Sequence, residues 1–215
     1  TARVSALAAA GISVLALGGD HLVAYPLLRA QAEHHGPLSL VHLDAHSDTW
    51  PDDGNLNHGS MFRRAADEGL VDPAHSVQIG MRTPNETYGF NVIHADALFS
   101  LGVDAVVERA REIVGERPVY LSVDIDFLDP AYAPGTGTPV VGGPTTWDAR
   151  RLLLGFEGLD IWAADLVEVA PPYDHSGITA LAGATLAIDE LHLVSMSRDQ
   201  AEALLQRGSG ERKPT

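Results

Sequence analysis

Residues 38–50 read LSLVHLDAHSDTW, an apolar strand pattern that ends in carboxylates and an imidazole. Asp44, His46 and Asp48 stand at every second position. A strand has a side-chain period of two, so the three groups share one face or continue its line into the next loop. Adjacent buried carboxylates repel one another and lose their hydration, so packing alone disfavours this arrangement. The stretch therefore predicts a core strand whose carboxyl end surrounds a cation.

The rest of the chain alternates between strand and helix patterns. Short apolar, β-branched runs alternate with helical periodicity, which is typical of βα units and a mainly parallel sheet. We predict one α/β domain over residues 1–207, with an ordered loop over 129–145 and a flexible tail over 208–215. Asp104 and Thr146 are predicted helix N-caps. The predicted strands are 12–17, 38–44, 76–81, 91–94, 118–125 and 160–167, and the predicted helices are 22–34, 60–69, 104–115, 146–155, 177–192 and 198–206.

Polar residues follow four of the predicted strands. In open α/β sheets the ligand site lies outside the carboxyl ends of the strands. Carboxylates and imidazoles without sulfur suit Mn²⁺, Zn²⁺ or Fe²⁺, and an excess of carboxylates favours Mn²⁺. There are too many candidate ligands for one ordinary site with an open position, so two ions about 3.5–4 Å apart are predicted. The candidate ligands are His21, Asp44, His46, Asp48, Asp124 and Asp126.

Each motif has a structural reading when it stands alone. Gly-Gly-Asp-His is typical of a turn before a helix, with Asp20 as the capping residue, and Asp-x-Asp at a strand end is often structural. Asp-x-His-x-Asp is more specific, and the three motifs together, each after a strand, favour a metal site. We expect His42 to be structural, with support of a metal ligand as the alternative. His58, in the loop that follows Asp48, is a candidate for function.

The composition excludes several classes of protein. The 215 residues include 14 Lys and Arg against 29 Asp and Glu, which gives a net charge of −15. A basic face for nucleic acid is therefore not expected, whereas cationic small molecules would be attracted. The chain has no cysteine, which excludes disulfides and thiolate metal sites. No apolar run is long enough to span a bilayer, so we expect no membrane contact and a cytoplasmic location.

Several segments resemble the ureohydrolases, the family of arginase and agmatinase. LGGDHLVAYP (17–26), LVHLDAHSD (40–48) and SVDIDFLDPAYAPGTGTPVVGG (122–143) are similar, in order, to three signature segments of that family. DIWAADLVEVAPPYDHSGITALAGATLA (160–187) is similar to its last strand and helix. The resemblance covers nearly the whole chain. It implies an arginase-like three-layer α/β/α fold and hydrolysis of a guanidinium group to urea and an amine.

The resemblance also implies a role for each site residue. Two Mn²⁺ ions per chain would share Asp44 and Asp124 as bridging ligands, and a metal-bridging hydroxide would attack the guanidinium carbon. Glu168 would pair with the guanidinium, and His58 would pass a proton to the departing amine. The ligands of one ion would be His21, Asp44, Asp48 and Asp124, and those of the other Asp44, His46, Asp124 and Asp126.

The loop after Asp48 bears on the substrate. Arginases carry a Ser/Thr-rich segment there that grips an α-amino acid, and residues 49–57 lack it. HGSMFRRAADEGL (58–70), SVQIGMRT (76–83) and VEVAPPYDH (167–175) resemble agmatinase more closely. We therefore expect a homo-oligomeric enzyme that converts agmatine to urea and the polyamine putrescine, with Asp52 and Asp53 near the substrate amine. A guanidinobutyrase-type guanidino-acid hydrolase and an inactive metal-binding fragment or homologue are the alternatives.

Some positions depart from the family pattern. Leu22 and Phe127 stand beside proposed ligands and are expected to crowd the site, and Pro144 and Gly177 are further departures. Family members carry roughly a further third of the chain before GGDH, so we interpret this sequence as N-terminally truncated. Strand 12–17 should then form an uncovered edge of the sheet. An apolar strand edge, and the apolar surface left by the missing helices, both favour association with another chain. We expect the chain to self-associate or to hold its His21-side ion weakly.

Overall fold

Six strands form one sheet in the order β1-β6-β5-β2-β3-β4, and all neighbours run parallel. The structure, a computed structural model, describes residues 2–52, 54–84 and 86–210. The predicted parallel sheet is confirmed. Strands β2 and β3 are buried along their whole length, which explains their near-continuous apolar sequence. The strands are β1 (Val14–Leu17), β2 (Ser39–Leu43), β3 (Val77–Met81), β4 (Asn91–His94), β5 (Pro118–Asp124) and β6 (Asp160–Val167).

Helices cover both faces of the sheet, so the predicted three layers are present. Successive residues of β5 point to opposite faces: Leu121 packs with Leu152 and Leu186 in one apolar cluster, and Tyr120 packs with Leu28 in the other. The first cluster includes side chains of α5, α6 and α7, and the second includes those of α2 and α3. The helices are α1 (Ala2–Ala9), α2 (Ala24–His35), α3 (Met61–Asp67), α4 (Ala95–Ser100), α5 (Val103–Val114), α6 (Thr146–Leu154) and α7 (Ile178–Gly210).

Both predicted N-caps were wrong. The cap of α5 is Gly102 rather than Asp104, which lies in the first turn. Thr145, rather than Thr146, caps α6, because only Thr145 has the spacing for a capping box with Asp148. The Asp148 N–H donates to Thr145 Oγ1 at 3.1 Å, and the Thr145 N–H donates to Asp148 Oδ2 at 3.1 Å.

The last helix also differs from its prediction. α7 is continuous, so the break predicted between 192 and 198 is absent, and helices α1 and α4 had no sequence prediction. Residues 208–210, the start of the predicted tail, are the last residues of α7, and 211–215 lie outside the described residues.

One part of α7 bears on the expectation about membranes. Ile178–Ser197 is long and apolar enough to cross a membrane by length and composition, so the statement that no such run exists was wrong. Half of this stretch is buried inside the fold, and α7 packs against β6 and α6. Its hydropathy is therefore explained by its place in the core.

Strand β1 lies at the edge of the sheet, as predicted. It pairs with β6 on one side, and no other strand of the described residues pairs with it on the other. Leu17 is 71% exposed and Ile12 is 51% exposed. The strand sequence VLAL carries no charge and no proline that would discourage pairing.

We expect the 215-residue chain to self-associate through this edge. Leu17→Lys places a charge on the open strand and should shift the chain towards monomer in sedimentation velocity. Leu101→Lys is the matched control, since Leu101 is 68% exposed but precedes α5 near the opposite end of the sheet. A wild-type chain that sediments as a single monomeric species would contradict this prediction.

Candidate metal centre

The structure places all six candidate ligands at the carboxyl ends of β1, β2 and β5. His21 begins a short turn after β1, and Asp44 follows β2 directly. Asp124 is the last residue of β5, and Asp126 lies in the turn that follows it. Five of the six side chains are buried and His46 is half-buried. Their role as ligands stays a prediction, but their convergence is a feature of the fold.

Four of these residues form a first group around the ring of His21. His21 Nδ1 lies 3.2 Å from Asp44 Oδ2, 3.0 Å from Asp48 Oδ2 and 3.3 Å from Asp124 Oδ2. These distances are short, but Nδ1 has no well-formed hydrogen bond with any of the three oxygens or with another described residue. A single proton could serve at most one of the three carboxylates, whereas a metal ion between the groups could be shared by all of them.

A second group forms around His46. His46 Nδ1 lies 3.3 Å from Asp44 Oδ1 and 3.1 Å from Asp126 Oδ2. Asp44 therefore contributes one oxygen to each group. Asp124 contributes Oδ2 to the first group, and its Oδ1 accepts the Asp126 N–H at 2.8 Å. The arrangement expected of a bridging ligand is thus visible for Asp44, and for Asp124 only the contact with the first group is visible.

The hydrogen bonds behind His21 determine which ring nitrogen carries the proton. His21 Nε2 lies 2.8 Å from Ser122 Oγ, and the Ser122 hydroxyl donates to Asp165 Oδ1 at 2.7 Å. Ser122 Oγ can then only accept from His21, so Nε2 carries the ring proton and Nδ1 has a free lone pair. Tyr120 donates its hydroxyl to the other oxygen of Asp165. A lone pair that faces three carboxylates fits a metal ligand, because a supporting bond on the second nitrogen is typical of metal-bound histidine.

The pKa shifts of the two histidines reflect the carboxylates that surround them. Burial lowers the pKa of His21, but the carboxylates of Asp124, Asp44 and Asp48 outweigh it and raise the pKa well above its ordinary value. Burial also lowers the pKa of His46, and Asp126 and Asp44 raise it to about 11. The acidic groups therefore favour a positive charge beside each imidazole. Nitrogen and carboxylate ligands of this kind fit a divalent ion such as Mn²⁺, which would supply that charge and leave the imidazoles neutral.

The carboxylates themselves respond in opposite directions. Burial raises the pKa of Asp124 well above its usual range, with further repulsion from Asp44 and Asp126. Burial and the charge of Asp44 raise the pKa of Asp126 to about 6. Burial would also raise the pKa of Asp44, but the neighbouring histidines, His42 first, hold it well below its usual range. Asp44 is therefore the acid that stays ionised most readily at the centre of the cluster.

Glu168 lies beside the first group, on the turn after β6. Its Oε1 accepts the His21 backbone N–H at 2.8 Å, and its own N–H donates to the Gly19 carbonyl at 3.0 Å. Its backbone is left-handed, with φ of 64°, and so is that of Asp48, with φ of 52°. Such conformations in residues other than glycine persist where the surrounding contacts fix them, as these bonds do for Glu168.

His58 and Asp52 lie in the loop between Asp48 and α3. His58 is exposed, and among the described residues no hydrogen bond or ion pair joins its ring to either ligand group. Asp52 Oδ2 accepts from Arg64 Nη2 at 2.5 Å, so its charge is already paired within the chain. The expectation that Asp52 meets a substrate amine is therefore not supported, and Asp53 lies outside the described residues. Asp20 caps the turn as expected, because its carboxylate accepts the Leu22 N–H at 3.2 Å.

The expectation that Phe127 crowds the site was wrong. Its side chain is fully buried in the apolar core and packs against Gly80, where a Cβ atom would lie 2.4 Å from the ring. Gly80 has φ of 97°, so glycine is required there both by conformation and by space. Leu22 packs against the apolar cluster on the α2 side of the sheet. Both departures from the family pattern are thus accommodated in the core.

Sequence reasoning missed two residues that hold the Asp126 turn. Arg82 donates to the backbone carbonyls of Asp126 at 2.7 Å and Val140 at 2.8 Å, which ties the turn to the long loop. Thr138 Oγ1 donates to Asp126 Oδ2 at 3.0 Å. Arg82 stands in the segment SVQIGMRT, two residues after Gly80. A glycine inside a strand pattern was the feature of the sequence that could have drawn attention to this turn.

Comparisons with known proteins agree with this fold. The Arginase family model matches residues 1–192, so the chain belongs to the arginase family. An agmatinase of Proteus mirabilis is 55% identical over 193 residues, which cover 89% of this chain and 63% of that protein. The chain thus spans less than two thirds of the length of that curated relative.

Two solved structures show the same likeness. A crystal structure described as a hypothetical agmatinase from Burkholderia thailandensis has a TM-score of 0.88 at 49% identity, covering 93% of this chain and 64% of that one. Proclavaminate amidino hydrolase from Streptomyces clavuligerus has a TM-score of 0.86 at 43% identity, covering 91% and 69%. Within the arginase family, the chain is similar to agmatinases in both sequence and structure.

Proposed function

We propose that this protein hydrolyses the guanidinium group of agmatine to urea and putrescine, with two Mn²⁺ ions per chain. The observation that carries the proposal is the pair of ligand groups that share Asp44, one around His21 Nδ1 and one around His46 Nδ1. A set of His and Asp groups with one common carboxylate is the arrangement that a two-ion hydrolase requires. Relatives named agmatinase, at 55% and 53% identity, support the substrate.

Different residues of the chain would bind the ions, bind the substrate and transfer the proton. The first group would hold one ion and the second group the other, and bound divalent ions activate water at neutral pH and stabilise negative charge on the substrate. Glu168, next to the first group, would pair with the guanidinium through its carboxylate. As water adds to the guanidinium carbon and the bond to the alkyl nitrogen breaks, His58 would deliver a proton to that nitrogen. The products are neutral urea and the amine putrescine.

We expect agmatine to be turned over with a higher kcat/KM than arginine. The α-carboxylate of arginine would need hydrogen-bond donors or a cation at the loop after Asp48. Residues 49–57 have no Ser/Thr-rich cluster, and Arg64, which reaches that loop, is already paired with Asp52. Urea release should be measured with Mn²⁺ across agmatine, arginine and guanidinobutyrate. A higher kcat/KM for arginine would contradict the substrate assignment, and a higher value for guanidinobutyrate would favour the guanidino-acid alternative.

The proposal includes a homo-oligomeric assembly and a cytoplasmic location. For the 215-residue chain, the open apolar edge of β1 supports association. Sedimentation of the Mn²⁺-loaded protein tests the assembly directly.

A further inference from the structure

His42 stands two residues before Asp44 and contacts it from behind the proposed centre. Its Nε2 lies 2.8 Å from Asp44 Oδ2, the oxygen that belongs to the first group. The His42 ring is fully buried, with its centroid 4.6 Å from that of Phe62 and 5.1 Å from that of His21. Position and packing therefore fix the ring beside a carboxylate on which both ions depend.

Gln78 on β3 determines the direction of the hydrogen bonds through this ring. Its side-chain nitrogen lies 2.6 Å from the Ser47 carbonyl and 3.1 Å from His42 Nδ1. A backbone carbonyl can only accept, so the group facing it must be the amide nitrogen rather than the amide oxygen. The same NH₂ then donates its second hydrogen to His42 Nδ1. His42 Nδ1 is thereby an acceptor, and its proton resides on Nε2, where it is donated to Asp44 Oδ2.

We infer that His42 and Gln78 are positioning residues that present Asp44 to the His21-side ion. The geometry groups His42 with His21, Asp44 and Asp48 as possible ligands, but both nitrogens of its ring are occupied by hydrogen bonds. Its function is to hold Asp44 Oδ2 in a fixed orientation through the Nε2–H bond, and Gln78 keeps the ring in the tautomer that does so. Gln78 also ties this ring to the backbone of the loop that carries Asp48. The inference rests on the proposed two-ion centre but not on the substrate.

Mn²⁺ titration of the metal-free protein, followed by the EPR signal of free Mn²⁺, tests this role. His42→Phe keeps an aromatic ring against Phe62 and removes the donor. It should weaken the His21-side ion by about 10–100-fold, the range typical of residues that support a ligand, and leave the other ion nearly unchanged. His42→Gln can still offer an N–H to Asp44 and should recover most of the affinity. Gln31→Leu, which removes a buried glutamine on α2, is the matched control for Gln78→Leu and should bind both ions normally.

A double-mutant cycle separates positioning from general destabilisation. Gln78→Leu should weaken the same ion, and its effect should be smaller in the His42→Phe background than in wild type, because the part that acts through the ring is already lost and only its bond to the Ser47 carbonyl remains. Any of four results would overturn the inference. They are unchanged Mn²⁺ binding in His42→Phe, equal loss of both ions, additive effects of the two substitutions, and a failure of His42→Gln to recover affinity. If His42→Phe does not fold, Gln78→Leu and His42→Gln decide the question against the Gln31→Leu control. A wild-type chain that binds Mn²⁺ without hydrolysing agmatine refutes the proposed substrate alone, whereas one that binds no ion overturns this inference as well.

Discussion

Asp44→Asn is expected to cost the protein both ions and, with them, its turnover of agmatine. Asp44 has one oxygen 3.2 Å from His21 Nδ1 and the other 3.3 Å from His46 Nδ1, so it is the residue that both ligand groups share. Asparagine has the same shape and can still accept the His46 backbone N–H, which lies 2.6 Å from Asp44 Oδ1. The substitution therefore removes charge and one ligand oxygen with little change in packing. The loss of affinity should exceed the roughly 10–100-fold typical of supporting residues.

Metal analysis after Mn²⁺ loading and desalting measures this effect directly. Wild-type protein should retain close to two equivalents per chain, since two groups of ligands are present. Asp48→Asn should lose one ion preferentially, because Asp48 contacts only the His21 group. Asp96→Asn is the control for a neutral substitution at an exposed aspartate on α4. An Asp44→Asn protein that is folded and still holds two equivalents would show that the shared carboxylate is not a ligand.

The fold and the convergence of the six candidate ligands were predictable from the sequence for a physical reason. In a parallel sheet every strand ends at the same edge, so polar residues after β1, β2 and β5 must meet wherever those strands are close neighbours. Asp44, His46 and Asp48 further follow the strand period of two. Local patterns therefore predicted the edge at which these residues lie, and the strand order β1-β6-β5-β2 brings them together there.

The residues that hold the ligands in place could not be predicted in this way. Ser122 reaches Asp165 across β5 and β6, and Gln78 reaches His42 across β3 and β2. Both contacts depend on which strands are neighbours and in what register, and neither is visible in a local pattern. His42 was expected to be structural, with support of a metal ligand as the alternative, since a histidine inside a strand pattern has no feature that decides between the two roles.

The errors in the predicted helix boundaries have a similar origin. A break in α7 was predicted between residues 192 and 198, but the helix continues to Gly210. Helix propensity has only a weak influence on where a helix ends. Tertiary packing or an alternative cap has a stronger influence. At the start of α6 the sequence did contain the information. The capping-box spacing of Thr145 and Asp148 marks the N-cap one residue before the predicted one.

Glu168→Gln is expected to lower kcat/KM for agmatine strongly while the ions are retained. The carboxylate has two proposed tasks, because Oε1 accepts the His21 backbone N–H at 2.8 Å and the negative charge would pair with the guanidinium. Glutamine keeps a side-chain oxygen for the backbone bond but loses the charge. Hydrogen bonds to charged groups contribute about 1.5–3 kcal/mol, so the expected loss is roughly 10–100-fold in kcat/KM. Mn²⁺ content and urea release, measured on the same sample, separate the two tasks.

Glu168→Ala completes the comparison, because alanine removes the backbone acceptor as well as the charge. The His21 backbone N–H would lose its acceptor, which loosens the turn that begins at His21, the proposed nitrogen ligand of the first group. We therefore expect Glu168→Ala to lose the His21-side ion in addition to turnover, whereas Glu168→Gln keeps it. If Glu168→Gln also loses that ion, the negative charge of Glu168 is what positions His21, and the guanidinium must be bound by another group. If Glu168→Gln retains both ions and full turnover, the assignment of Glu168 to the substrate is wrong.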